Sequence, residues 1–279
     1  MILQMAETRS ATNSLDRALA VLEIVEQTPG GLTSADIRRR LRIPKSSYGY
    51  LMTRLKDKGY VMRDEETHCY KIGLTPLALA YGTLREMGFR SVTEPTLYRL
   101  VSETGLAASI GVLERGKVLL VDRVESPEFV REAVDFANRS GTIAITRSIR
   151  QRQERDIGRE LPAHSNALGK VLMAHLSRRD VLDLIAQEGL PRITAWTVVS
   201  KAKLLLELDV VRKQGYANSN QEQYVGVRGL GAPIFDARGG VCAAVSITGD
   251  PANTVWREYG ALIELVRAAG RSISRSMRV

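Results

Sequence analysis

Residues 32–63 read LTSADIRRRLRIPKSSYGYLMTRLKDKGYVMR. Thr33 followed three residues later by Asp36 is a helix start: the threonine hydroxyl accepts an N–H of the first turn, and the carboxylate sits at the positive end of the helix. Ile37 and Leu41 then form the inward stripe of a short helix. After a tight link at Arg42-Ile43, Pro44 suits the first turn of another helix, because its φ is already helical and its missing N–H is not needed there. That helix turns Tyr48, Leu51, Met52 and Leu55 to one side and Ser46, Ser47, Gly49, Tyr50, Thr53 and Arg54 to the other, and Gly59 closes it. A helix-turn-helix is the expected result.

Upstream, Leu15, Leu19, Leu22 and Val25 recur at helical spacing and are read as the inward stripe of a helix that ends before Pro29-Gly30-Gly31. Downstream, residues 60–63 and 68–72 read as two strands joined by the turn Asp64-Glu65-Glu66-Thr67, a wing. From Thr33 to Arg63 there are nine arginines and lysines and two aspartates, and cations gathered on one element favour a polyanion. The outward face of the third helix is small and hydrogen-bonding near its start and basic beyond. This suits a major groove, where the first residues of a recognition helix meet base edges and flanking cations meet phosphate. The residues expected at double-stranded DNA are Arg38, Lys45, Ser46, Ser47, Tyr50, Arg54 and Arg63, with Tyr50 reading a base edge. The competing reading is a helical module that binds protein and not DNA.

A chain of 279 residues has room for two domains, and 44% hydrophobic with 25% charged residues is the composition of a globular protein. Cys69 and Cys242 do not make a disulfide framework, and the opening MILQMAETRSATNS lacks the apolar core of a signal peptide. No run of about 18 apolar residues is present to span a bilayer. A cytoplasmic protein with no membrane partner is expected. The organisation read from the chain is a flexible stretch over 1–13, a winged helix-turn-helix over 14–74, a linker helix over 75–91 carrying Leu77, Tyr81 and Leu84, and a second domain over 92–279. In that domain, strand-like runs at 107–113, 118–124, 232–235 and 241–248 and hairpin turns at 114–117 and 236–240 imply a largely antiparallel sheet. Helices are expected at 92–103, 167–176, 178–187, 201–214 and 254–276. The fold class is α/β in composition, α+β overall. The stretch 128–158, rich in arginine and broken at Ser140-Gly141, reads as an insertion.

The segments SLDRALAVLEIVEQ, LTSADIRRRLRIPKSSYGYLMTRLKDKGYV, YKIG, LVDRVES, LPAHSNALGKVLMAHL, GYANSNQEQYVGVRGLGAPIFD and AAVSITGDP together span nearly the whole chain. In them the chain resembles the IclR-type transcription regulators. The resemblance implies an N-terminal winged helix-turn-helix, a linker helix, and a C-terminal effector-binding domain of the GAF and PAS type with a curved, largely antiparallel sheet. It also implies homodimers or tetramers built as dimers of dimers, palindromic operators, and small organic acids or aromatic catabolites as effectors. The chain departs from the family pattern at Tyr50, where many members carry arginine, in a longer segment between LVDRVES and LPAHSNALGK, and at Ser219 and Gly229, where pocket positions are often acidic and cysteine.

A pocket follows from Ala167-Leu168-Gly169 at a helix start, where unbonded N–H groups and the positive end of the dipole attract carboxylates. Facing Ala167 and Leu168, the resemblance implies Ser219, Gly229, Ser246 and Thr248, the last two on one face of a strand because they are two apart. Small hydroxyls on an apolar wall suit a small oxygenated ligand. His164 is expected to fasten the helix start. Catalysis finds little support: Gly169-Lys170 lacks the glycine at 164 and the hydroxyl at 171 of a phosphate loop. GVRGLG at 226–231 lacks dinucleotide spacing and reads as a flexible loop. His68, His164 and His175 share no ligand spacing with the cysteines, and no nucleophile elbow occurs. Neither metal nor cofactor is expected. Two functions stay open: a sequence-specific regulator controlled by a small organic or aromatic acid, and an architectural DNA-binding protein without ligand control.

Overall fold

The computed structural model describes residues 13–86, 89–131 and 157–277, and divides into a unit ending at residue 87 and one beginning at 88. The expected insertion over 128–158 lies mostly outside the described residues.

The first unit contains α1 (Ser14–Glu26), α2 (Ser34–Leu41), α3 (Lys45–Asp57), the antiparallel pair β1 (Val61–Arg63) and β2 (Tyr70–Ile72), and α4 (Thr75–Glu86). Asn13 Oδ1 accepts the N–H of Asp16 at 2.8 Å and Thr33 Oγ1 that of Asp36 at 3.2 Å, so the side chains before α1 and α2 satisfy orphan donors of each first turn. Arg42, with φ of +52°, ends α2 and swings the chain into α3. Val21, Val25, Ile37, Ile43, Tyr48, Leu51, Met52, Leu55 and Val61 form the core. Two readings are corrected. Helix α1 buries Val21 and Val25 but leaves Leu15 and Leu19 exposed, because its sequence carries two adjacent apolar stripes and spacing alone does not say which one meets the rest of the unit. The wing strands are shorter than expected: the Asp64 carboxylate accepts the N–H groups of Glu66 and Thr67, and His68 has a left-handed φ of +55°, so the turn extends past residue 68. Within the linker expected over 75–91, α4 is described over Thr75–Glu86 and α5 from Phe89.

The second unit contains α5 (Phe89–Thr104), β3 (Ala107–Glu114), β4 (Lys117–Val124), β5 (Glu160–Pro162), a 3-10 turn (Ala163–Ser165), α6 (Ala167–Ala174), α7 (Arg178–Glu188), α8 (Lys201–Gln214), β6 (Ala217–Asn220), β7 (Arg228–Phe235), β8 (Val241–Gly249), a second 3-10 turn (Thr254–Glu258) and α9 (Tyr259–Ser276). The sheet runs β5-β4-β3-β8-β7-β6, antiparallel at every pairing, and is curled into a half-barrel. Strand alternation gives it two unlike faces. Ile110, Leu230, Ile234, Val245 and Ile247 point to α5 and α9, where Leu97, Leu262, Val266 and Ile273 complete a core. The residues between them, among them Ser109, Gly229, Ser246 and Thr248, point to the side of α6.

Several limits differ from those read in the sequence. Strand β7 begins at Arg228 and not at 232, so four of the six residues of the GVRGLG stretch are strand. The reason is proximity: a Cβ on Gly231 would lie 3.2 Å from the Ala167 backbone, so glycine here marks close approach rather than flexibility. The helix expected over 254–276 begins as a 3-10 turn. In β4, Ile110 is opposite Asp122 but Gly111 is opposite Leu120, so Val121 is an extra residue, a β-bulge.

Helix α6 rests directly on the turn before it, since a Cβ on Gly169 would stand 2.1 Å from the Ala163 carbonyl oxygen. Gly169→Ala is expected to destabilise the second unit by about 1–3 kcal/mol through overpacking. Thermal unfolding measures this, and an unchanged melting temperature would show that the close approach is dispensable.

Candidate functional site

Helix α3 displays Lys45, Ser46, Tyr50 and Arg54 at the surface, and Arg63 is exposed at the end of β1. Ser47 is half-buried. Tyr50 is 65% exposed. One turn on, Arg54 Nε donates to the Tyr50 hydroxyl at 3.4 Å and its guanidinium carbon lies 5.4 Å from the ring centroid, so the two side chains form one unit. Arg38 is only half-exposed, and its Nε is shielded from water without a hydrogen-bond partner. In the wing turn, a 2.6 Å hydrogen bond from Lys71 Nζ, together with the Thr67 N–H, holds the Asp64 carboxyl well below the usual carboxylate range.

The second unit encloses a cavity of about 480 Å³. Ala167, Leu168, Ser219, Gly229, Ser246 and Thr248 all line it. The strand register explains why residues so distant in sequence meet. Ser219 is opposite Gly229, which is opposite Thr248; one step along, Arg123 is opposite Ser109, which is opposite Ser246. At the helix start, Asn166 Oδ1 takes the N–H of Gly169 at 2.9 Å, which removes that group from the expected anion site and leaves the N–H groups of Ala167 and Leu168 outside the helix's own bonding. Ser219 Oγ donates to the Ser165 carbonyl at 3.3 Å. His164 Nε2 lies 3.1 Å from the Pro191 carbonyl, and burial pushes its imidazole pKa down. The contact ties the turn before α6 to the backbone at Pro191 and not to the helix start.

Charged lining residues were not anticipated from the sequence. Arg123 donates from Nε and Nη2 to the two carboxylate oxygens of Glu125 at 2.7 and 3.2 Å, and from Nη1 to Ser109 Oγ at 3.0 Å. Arg159, Tyr224 and Val225 are the exposed lining residues and therefore mark the mouth, where the Arg159 guanidinium lies 5.4 Å from the Tyr224 ring centroid. A signal existed in LVDRVES, with two charges two apart in an apolar strand, but the bulge at Val121 decides which way they point.

Behind the cavity wall, Lys170 of α6 is fully buried. Its Nζ lies 2.7 Å from Glu222 Oε1, 2.7 Å from Glu207 Oε1 and 3.4 Å from the Asn218 carbonyl. Glu222 is the second residue of the loop 221–227, which supplies Gln223, Tyr224, Val225 and Val227 to the cavity. Burial pushes the Glu222 carboxyl pKa up, and its Oε2 has no hydrogen-bond partner. The Thr197 hydroxyl donates to the Glu222 carbonyl at 2.7 Å, and the Ser165 hydroxyl to Gln223 Oε1. Among the described residues no cluster of three or more His, Cys, Asp or Glu is placed to hold a metal, and no helix is long and apolar enough to cross a membrane.

Comparison with known proteins matches residues 14–65 to the IclR helix-turn-helix domain and residues 132–275 to the bacterial transcriptional regulator IclR C-terminal domain. The chain belongs to the IclR family. It is 28% identical to the HTH-type transcriptional regulator BhcR of Paracoccus denitrificans, over 98% of this chain and 90% of that protein. It is 25% identical to the HTH-type transcriptional repressor AllR of Escherichia coli, over 96% and 92%. The crystal structure of an IclR homolog from Microbacterium hydrocarbonoxydans, complexed with 4-hydroxybenzoate, shares the fold with a TM-score of 0.76 at 23% identity, covering 95% of this chain and 99% of that one. Like its IclR relatives, this protein is a DNA-binding transcription regulator with an effector-binding C-terminal domain, and these relatives are named regulators and not enzymes.

Removing Lys170 leaves the buried Glu222 and the half-buried Glu207 without their cation. Lys170→Met is expected to destabilise the protein by about 3–5 kcal/mol, and Lys170→Met with Glu222→Gln to recover part of that loss. Urea unfolding of the two variants checks the order.

Proposed function

We propose that this regulator reads a specific operator through α3 and answers to a small organic acid, with aromatic acids in range, held in the cavity beside α6. The observation that carries the reading is the cavity lining. Hydroxyls of Ser109, Ser219, Ser246 and Thr248 share walls with Leu120, Leu161, Leu168 and Phe129, while Arg159 stands at the mouth and α6 begins with two N–H groups outside the helix's own bonding. A carboxylate meets amides at the positive end of the helix there, and an apolar body meets hydrocarbon. A volume of about 480 Å³ has room for a ring as well as a carboxylate. The 4-hydroxybenzoate complex of the homolog from Microbacterium hydrocarbonoxydans supports an aromatic acid as one such ligand. Such a cavity supports ligand control over a purely architectural role.

At the DNA, Lys45, Arg54, Arg63 and Arg38 contact phosphate, Ser46 and Ser47 approach near the start of α3, and Tyr50 meets a base edge with Arg54 stacked on it. The protein acts as a homodimer or a dimer of dimers. Leu15, Leu19, Leu74, Leu77 and Leu79 of the first unit are all at least half exposed, an apolar excess that pairing of subunits would cover. Effector and operator are coupled, so each changes the affinity for the other by the same factor.

Ser246→Val with Thr248→Val is expected to leave operator affinity of the free protein near normal and to abolish the response to ligand. Calorimetry with 4-hydroxybenzoate and aliphatic acids decides, and undiminished acid affinity in this folded variant would place the ligand elsewhere.

For the DNA surface, Lys45→Ala with Arg54→Ala is expected to lower the slope of log affinity against log salt by about one per lost phosphate contact. An unchanged slope and affinity would remove α3 from the interface. Tyr50→Phe is expected to alter the preferred site more than overall affinity, as read by selection from random DNA.

A further inference from the structure

We propose that Arg123 and Glu125 determine the charge that the effector presents at the sheet end of the cavity: the pair admits an uncharged oxygen, a hydroxyl or carbonyl, and excludes a second carboxylate. This rests on the organic-acid reading above and adds the specificity of the same site.

The two side chains leave β4 and the residue after it on the same side of the strand, two residues apart. Their pairing is bidentate, with Nε and Nη2 of Arg123 on the two oxygens of Glu125. Glu125 is 7% exposed, so the ion pair sits in a poorly solvated wall, where an unmatched charge is costly and a matched pair is close to neutral. Arg123 is therefore compensated within the protein before any ligand arrives. Arg159 stands at the mouth against the Tyr224 ring. A ligand carboxylate is accordingly drawn to the start of α6, where the N–H groups of Ala167 and Leu168 lie outside the helix's own bonding, away from Glu125.

The sheet end offers the opposite chemistry. Ser246 is 2% exposed, and its hydroxyl has no hydrogen-bond partner among the described residues although it lines the cavity. Directly across the ladder is Ser109, whose Oγ accepts from Arg123. A ligand hydroxyl placed between these serines can donate to one and accept from the other, and a carbonyl oxygen there can accept from either. A carboxylate in the same place would bring a second negative charge beside Glu125 in a medium of low dielectric, where like charges repel strongly. The inferred effector is thus a monoacid whose far end carries a hydroxyl or carbonyl.

Calorimetry on the full-length protein tests this with matched probes: 4-hydroxybenzoate against benzene-1,4-dicarboxylate, and 4-hydroxybutanoate against succinate. The wild type is expected to favour the monoacid of a pair. Glu125→Gln, which leaves Arg123 uncompensated, is expected to shift the affinity ratio toward the diacid by at least about tenfold, the worth of one charge-assisted contact. Arg123→Gln with Glu125→Gln restores neutrality and is expected to keep the monoacid preference. If the wild type binds no acid of either pair, the organic-acid reading fails and this inference with it. If the wild type binds the monoacid but Glu125→Gln leaves the ratio unchanged, or the wild type prefers the diacid, the acid reading stands and this inference falls. Should Glu125→Gln not fold, the double variant decides, because a preference for the diacid there overturns charge compensation and a retained monoacid preference supports it.

Discussion

The effector domain depends on the backbone of α6 lying against the backbone around it with no side chain between. Gly169 meets the Ala163 carbonyl and Gly231 meets Ala167, so helix, preceding turn and β7 approach at distances that a Cβ on Gly169 would prevent and one on Gly231 would crowd. That seating brings the start of α6 close to the sheet while Leu168 and Val171 extend into the neighbouring apolar cluster with Leu204 and Leu208 of α8. Beyond the start of the helix the sheet face carries glycine, serine and threonine, which are too small to fill the space. The cavity is what remains between a closely seated helix and a face of short side chains. The opposite face, filled by branched aliphatic residues, supplies the burial that offsets the unfilled volume.

Lys170 belongs to the same seating. Its position on α6 places its ammonium between two carboxylates, one on α8 and one on the loop 221–227. A buried ion pair of this sort contributes little net stability compared with an apolar side chain of equal volume. What it does is specify: only one placement of the loop puts Glu222 on the ammonium, and that placement brings Tyr224, Val225 and Val227 over the cavity. Hydrogen bonds from Thr197 and Ser165 hold the same loop from other sides. The mouth is thereby defined by polar contacts around a segment whose own tip, at Val225, is exposed.

The parts of this architecture that were legible in the sequence are those fixed by local chemistry. Thr33, Pro44 and Gly59 delimit α2 and α3 because caps and turn residues act over a few positions, and the hydroxyl pair Ser246 and Thr248 shows its common face by strand spacing alone. What escaped requires knowledge of neighbours. The buried stripe of α1 is Val21 and Val25, chosen by contact with the rest of the unit; the polar sequence Ala217–Asn220 becomes strand β6 only by pairing with β7. Gly229 and Gly231 look like flexibility until Ala167 stands above them. Lys170 in an otherwise apolar helix announces a problem, but its partners lie 37 and 52 residues away.

The bulge at Val121 reaches further than its size implies. Before it, Val118 and Leu120 turn toward α6; after it, Arg123 and Glu125 do, although their numbers have changed from even to odd. The same sequence paired in unbroken alternation, with no bulge to absorb Val121, would aim Asp122 and Val124 inward and replace a compensated ion pair by one carboxylate and one hydrocarbon. A single-residue insertion or deletion after the bulge, where nothing absorbs it, is therefore a change of ligand chemistry made with no substitution at all. In this strand the lining of the cavity follows the side of the sheet and not the parity of position along the chain.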